Sequence, residues 1–313
     1  MSVDAETIPP VAPASPAALN TDRDDLLARL DVMTAEEGHI EPVGPHHWAF
    51  FEDVGTTLLV TFETLDQILA REAKLPLGHT LAAAHGWSHL CLIADGQTWY
   101  RDAAVYAHFD RLVDDAFFED FDKVMFYGQG MGGYAACAFA VAAPGANVLA
   151  LNAPATLDPS EASWDRRFAT ARRLDFSTRY GYAPDMLEGA GKVVVIHDPT
   201  LREEAMHAAL FRAPWVTRLS TPHLGARIEW ALRHMGLLPD MIEKAMNGTI
   251  SHESFAPLWR KRRDFAPYLR ALLEKAEANR RKSHAVMICR SVTRRLRAPH
   301  FARRLARLTG ANP

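Results

Sequence analysis

The chain has 313 residues, 48% hydrophobic and 23% charged, an ordinary globular composition that excludes collagen-like, low-complexity and highly charged disordered chains. Its formal net charge of -3 conceals a division: residues 259–313 carry 16 Lys/Arg and 3 Asp/Glu, which leaves 19 basic and 35 acidic residues in 1–258. Cys91, Cys137 and Cys289 form no short-spaced pair, so no disulfide framework or Cys-x-x-Cys metal motif is written here, and a reducing, cytoplasmic setting is expected.

Residues 1–20 are rich in Pro and Ala, lack the basic start and apolar core of a signal peptide, and are expected to be disordered. Thr21, followed by Asp22 and Asp24, predicts a short capped helix to Leu30. Strands are expected at His47–Phe51 and, more clearly, at Thr56–Phe62, where a β-rich run follows Gly55. Then strand and helix alternate: strand Ser88–Ala94, helix 102–116, strand Lys123–Tyr127, a Gly-rich turn and helix 132–143, strand Asn147–Leu151, and a polar helical stretch over 160–174. Strand Lys192–His197, helix 200–210, strand Trp215–Leu219 and helix 224–235 complete the series. This alternation predicts an α/β fold, a mainly parallel sheet with helices on both faces. The longest apolar stretch, Tyr134–Leu151, is broken by Pro144, Gly145 and Asn147, whereas a membrane span needs about 20 predominantly apolar residues, so no transmembrane segment is expected. Beyond Pro239 no strand signal remains; helices are expected at 252–262, 266–280, 283–297 and 299–308. The expected organisation is therefore a disordered segment 1–20, an α/β domain 21–238 and a basic helical extension 239–313.

The most specific local signal is KVMFYGQGMGGYAACAFA, Lys123–Ala140, in which a buried strand runs through a glycine-dense turn into an Ala-rich helix. A nucleophile elbow, Gly-x-Ser-x-Gly, needs this context because helix and strand approach closely there and the central residue is strained. The frame here is Gly128-Gln129-Gly130-Met131-Gly132, followed by Gly133. A dinucleotide-binding reading fails on spacing, since the third glycine is misplaced for Gly-x-Gly-x-x-Gly and no Gly-Lys-Ser/Thr is present.

Over residues 45–236 the chain resembles the α/β-hydrolase superfamily, in the variant with Met-Gly-Gly after the nucleophile. The resemblance breaks at the decisive position, where Gly130 stands in place of serine and offers no nucleophile. It implies that Asp198, directly after the strand KVVVIH, takes the place of the acid, and that His223, after WVTRLS, takes the place of the base. It implies oxyanion donors at Met131 and in the loop after Phe62, at Thr64. Gln129, one residue before the nucleophile position, is expected to point away from the site.

Other residues have plainer readings. His85 and His89 are four apart, but Gly86 and the following strand argue against a shared helix face, so no metal site is expected there. Cys137 and Cys91 read as packing, and Trp99-Tyr100-Arg101 as either a pocket rim or a packed loop. The basic helices read first as solvated faces packed on the acidic body, and otherwise as a surface for a protein partner or a polyanion, through Arg294, Arg295, Arg297, Arg303, Arg304 and Arg307.

Three functions follow as expectations. The first is a degenerate α/β-hydrolase-fold protein that binds an unidentified small-molecule ligand or a partner, needs no cofactor or metal, and is no serine hydrolase. The second is an active hydrolase or lyase in which His223 and Asp198 activate a water lodged at Gly130. The third is a scaffold that binds polyanions or proteins through the C-terminal helices.

Overall fold

The computed structural model describes residues 16–34 and 37–310; of the segment 1–20 expected to be disordered, residues 1–15 lie outside them, and residues 16–20 are helical, which corrects the expectation there. The described residues form one eight-stranded sheet: β1 (Gly38–Pro42), β2 (His47–Glu52), β3 (Thr57–Thr64), β4 (Ser88–Ala94), β5 (Lys123–Gln129), β6 (Asn147–Leu151), β7 (Val193–His197) and β8 (Val216–Ser220). Their spatial order is β1-β2-β4-β3-β5-β6-β7-β8. β2 is antiparallel to both β1 and β4, and every other pairing is parallel. All seven residues of β4, SHLCLIA, are buried, as an inner strand covered on both faces requires.

The helices are α1 (Pro16–Met33), α2 (Leu65–Leu69), α3 (Leu77–Ala83), α4 (Ala103–Asp114), α5 (Met131–Phe139), α6 (Pro159–Ala162), α7 (Arg202–Leu210), α8 (Ile228–His234), α9 (Leu238–Met246), α10 (His252–Trp259), α11 (Ala266–Ala278), α12 (Lys282–Arg295) and α13 (Pro299–Thr309). The pleat divides the core. Val60, Phe62 and Phe126 face α4 and α5, whereas Leu59, Met125 and Tyr127 face α3, α8 and α9. All nine residues of α5 are buried, and it lies against the sheet through small residues. A Cβ on Gly132 would stand 2.2 Å from the carbonyl oxygen of Phe62, so only glycine allows this approach.

Three expectations shift. α1 begins at Pro16, so Thr21 lies inside the helix and does not cap it. The helix expected over 160–174 is reduced to α6 and a short 3-10 turn at Ala171–Arg173. α9 buries Leu238, Met241, Ile242, Ala245 and Met246 in the same cluster as Ile228 and Leu232, and α10 adds Phe255 and Trp259. At about 1.5–3 kcal/mol per large buried apolar side chain, α9 is integral to the sheet domain. The apolar core of the sheet domain therefore extends through Trp259, past the boundary expected at residue 238, and Tyr268 packs against both this core and the next. Beyond Trp259, α11, α12 and α13 surround a small core of their own.

Candidate functional site

Gly130, Asp198 and His223 lie on the segments that leave the C-terminal ends of β5, β7 and β8, at one edge of the parallel sheet. Ligands bind at this edge in open α/β folds. The edge is stitched by backbone bonds from Gly130 N to Leu151 O, 2.8 Å, from Asn152 N to Ile196 O, 2.8 Å, and from Thr221 N to His197 O, 2.9 Å.

Gly130 turns between β5 and α5 at φ 58°, ψ -118°, and its carbonyl accepts the Tyr134 N–H at 2.9 Å, opening α5. A side chain in this backbone region costs about 1–3 kcal/mol, and glycine avoids most of that strain. A Cβ built here meets no atom within 4 Å, so the space a serine hydroxyl would occupy is open. Met131 begins α5, and first-turn amides have no acceptor within their helix, which leaves its N–H available at the expected oxyanion position. Its Sδ accepts the Trp99 N–H at 3.0 Å.

Thr64 is engaged differently from the oxyanion role expected of it. It caps α2: its N–H donates to Gln67 Oε1 at 3.1 Å and its hydroxyl accepts the Gln67 N–H at 3.3 Å, a complete capping box. An amide committed to that bond has no proton left for an oxyanion.

Asp198 is fully buried, and its two oxygens accept the Thr200 and Gly225 N–H groups, each at 2.8 Å. It thus grips the loop that carries His223 without bonding the imidazole. His223 adopts φ 71° and is half-buried, and its Nδ1 lies 3.5 Å from Lys275 Nζ on α11. The Tyr268 ring on the same helix is 6.4 Å away. Burial, and then the Lys275 charge, push the His223 pKa below its ordinary value against the pull of Asp198, so the neutral imidazole is favoured. The structure therefore brings the Asp198 and His223 loops, after β7 and β8, into contact but forms no hydrogen bond between the two side chains among the described residues.

Gln129 points to the opposite sheet face, where its Nε2 donates to Ala226 O at 3.2 Å and its Oε1 accepts the Glu229 N–H at 2.9 Å. It clamps the start of α8 to the end of β5. Trp99 and Tyr100 are buried, both at left-handed φ, and Arg101 donates to the Asp175, Thr178 and Arg179 segment, so this stretch is a packed loop and not a pocket rim. Cys137 is buried on α5, and burial pushes its thiol up, away from nucleophile chemistry.

A second polar group escaped the sequence reading. Asp165 and His207, 42 positions apart, are buried together, with His207 Nε2 donating to Asp165 Oδ2 at 2.9 Å and Nδ1 accepting the Ala155 N–H at 3.2 Å. Arg167 links Asp165 to Glu204, whose other oxygen accepts from Asn152 at 3.0 Å. Donor atoms of Glu63, His89 and Cys91 lie within 4.8 Å of one another, close enough to hold an ion. The Glu63 carboxylate, however, already accepts from Arg71 and from the Leu77 and Gly78 N–H groups, and an ion there would face the Arg71 charge. Glu63 anchors the start of α3.

No protein-family model matches the chain, and no curated protein is significantly similar to it in sequence. Among solved structures it is similar to an esterase of Pyrobaculum calidifontis, at 12% identity over 76% of this chain and 100% of that one, with a TM-score of 0.47. It is similar to the capsule O-acetyltransferase of Neisseria meningitidis serogroup A, at 10% identity over 70% and 99% of the two chains, with a TM-score of 0.46. It is also similar to brefeldin A esterase, a bacterial homologue of human hormone-sensitive lipase, at 18% identity over 77% and 88%, with a TM-score of 0.43. Likenesses this distant do not bear on activity. The mixed sheet, with β5 running through a tight glycine turn into α5, and the flanking helices make this an α/β-hydrolase fold with a C-terminal helical addition.

Proposed function

We propose that this chain is a degenerate α/β-hydrolase-fold protein whose sheet edge binds a ligand or partner and does not acylate. The observation that carries this reading is a double break in one catalytic relay. Gly130 supplies no nucleophile, and the His223 imidazole lies against Lys275 while both Asp198 oxygens are held by backbone N–H groups. A fluorophosphonate probe and small activated esters test it. The parent protein is expected to be silent toward both. Gly130→Ser is expected to lose about 1–3 kcal/mol of stability, from the strained backbone, and to remain silent because acid and base are not joined. Ester hydrolysis by the serine variant that disappears with His223→Ala would mean that the pair assembles in solution and only the nucleophile is missing.

One observation favours a second reading, an enzyme that uses a His223-activated water. The space at Gly130 is open to a water, and His223 is held in the neutral form that a general base needs. Parent hydrolysis that requires both His223 and Asp198, with Gly130 in place, would establish this reading and overturn the first.

A further inference from the structure

The features that the sheet edge does not absorb lie in α11, α12 and α13. Their shared core takes up Leu273, Cys289, Val292 and Phe301, with Leu305 and Leu308 packed against it, so α13 turns its apolar side inward. Arg303 and Arg307, four apart on α13, are exposed, as are Arg290 and Arg294 on α12. Of the 16 Lys/Arg in residues 259–313, Arg295 pairs with Asp264 and Arg304 with Glu277, both partners within the same segment. Among the described residues the remaining basic groups meet no carboxylate, and none pairs with the acidic body. These charges are solvated rather than paired with the acidic body.

A groove of about 560 Å³ runs between α11 and α12, the helix that carries Arg290 and Arg294, with Leu272, Met287 and Ile288 in its wall. Arg262, Arg263 and Arg295 also line it, of which Arg295 keeps its pair with Asp264, Arg262 lies over the Trp259 ring, and Arg263 is exposed without a carboxylate partner among the described residues. Met287 is 59% exposed, a large apolar side chain placed among guanidiniums. We propose that this face docks on an anionic lipid bilayer, with phospholipid phosphates on the guanidiniums and acyl chain against the aliphatic wall. Charge complementarity selects a polyanion, and the apolar wall selects lipid. A nucleic acid would satisfy the arginines but leave Met287 and Leu272 bare, and Phe301, buried in the small core, gives bases no stacking platform. No helix among the described residues is long and apolar enough to cross a membrane, so the contact is peripheral. The same α11 that borders the groove brings Lys275 to His223, so docking would set the candidate site beside the lipid surface.

The test is co-sedimentation of the full chain with vesicles of phosphatidylcholine alone and with vesicles in which about a third of the lipid is phosphatidylserine. Binding is expected only to the anionic vesicles, and added salt should weaken it. Arg290→Gln combined with Arg294→Gln should weaken binding about 25-fold, at about fivefold per charge. Met287→Asp, at an exposed position that folding does not depend on, should also weaken vesicle binding. Failure to bind either vesicle, equal binding to both, or binding indifferent to Met287→Asp would overturn the proposal. So would tighter binding to a DNA duplex than to anionic vesicles.

Discussion

Of the histidines that stand near carboxylates in this fold, His207 and His223 are built in opposite ways. His207 is enclosed, with one nitrogen fixed by the Ala155 N–H and the other donating to a buried Asp165 that Arg167 also holds. His223 sits half-buried on a left-handed residue, with a lysine at its free nitrogen and its expected acid occupied elsewhere. The first pair has the bonding expected of an acid–base pair but no access; the second has access without the bonding. Chain order alone therefore does not make a working pair, because an imidazole is oriented only when a third group holds it. The well-satisfied network has gone into stability, and the accessible edge is left loosely organised, which suits binding better than proton transfer.

The sharpest way to break this contrast is Asp165→Asn, for which the largest loss is expected, about 1.5–3 kcal/mol for charged hydrogen bonds. The loss stays below that of a fully orphaned buried charge because Arg167 keeps Glu204 and is 31% exposed. Burial raises the Asp165 pKa, but the bonds from His207 and Arg167 outweigh it and hold the carboxyl below its usual range. Its stabilisation is therefore complete above pH of about 4 and is lost as pH falls through the lower native value. The stability gap between parent and variant, measured by urea unfolding, should shrink over that acid range. A gap that is constant with pH would mean Asp165 is not ionised in the native protein.

Asp198→Asn should cost less, about 1 kcal/mol, since one amide oxygen can keep either the Thr200 or the Gly225 N–H bond. The variant should lower the His223 titration slightly further, because it removes the charge that pulls against burial and Lys275, without breaking a bond between the two side chains. A loss as large as that at Asp165, accompanied by a large fall in His223 titration, would show the two joined by a hydrogen bond.

These two aspartates also mark what the sequence could reveal. Strands such as Ser88–Ala94 and Asn147–Leu151 are legible to the residue because buried parallel strands are continuous apolar runs bounded by turns. β1, GHIEP, is not legible: it is an edge strand that carries Glu41 and Pro42 and has no apolar alternation. α9 shows apolar spacing at Leu238, Met241, Ile242 and Ala245, but Pro239 resembles a boundary when it in fact occupies the first turn of a helix. The tight turn after β5 is visible because glycines at fixed offsets record a local close approach. The Thr64–Gln67 cap was equally local, Thr-x-x-Gln, and could have warned against the oxyanion assignment. The Asp165–His207 pair and the Lys275–His223 contact join residues 42 and 52 positions apart, and no periodicity or spacing signals such meetings.

The smallest effect is expected at His223, and it discriminates most finely. His223→Ala removes a half-buried ring that makes no bond to a carboxylate, so stability should change by no more than about 0.5 kcal/mol. The parent imidazole should titrate below the ordinary value of 6.5, first because it is partly buried and then because Lys275 opposes its charge. Since the folded chain then holds this proton less tightly than the unfolded chain, protonation removes stability as pH falls through the ordinary value toward the lowered one. That slight slope should vanish in His223→Ala. Lys275→Met, at an exposed position, should move the His223 titration upward by removing the repelling charge, which NMR of the ring protons would detect. An imidazole that instead titrates above 6.5 and is indifferent to Lys275 would place it on Asp198, reverse the contrast with His207, and return His223 to the role of a base.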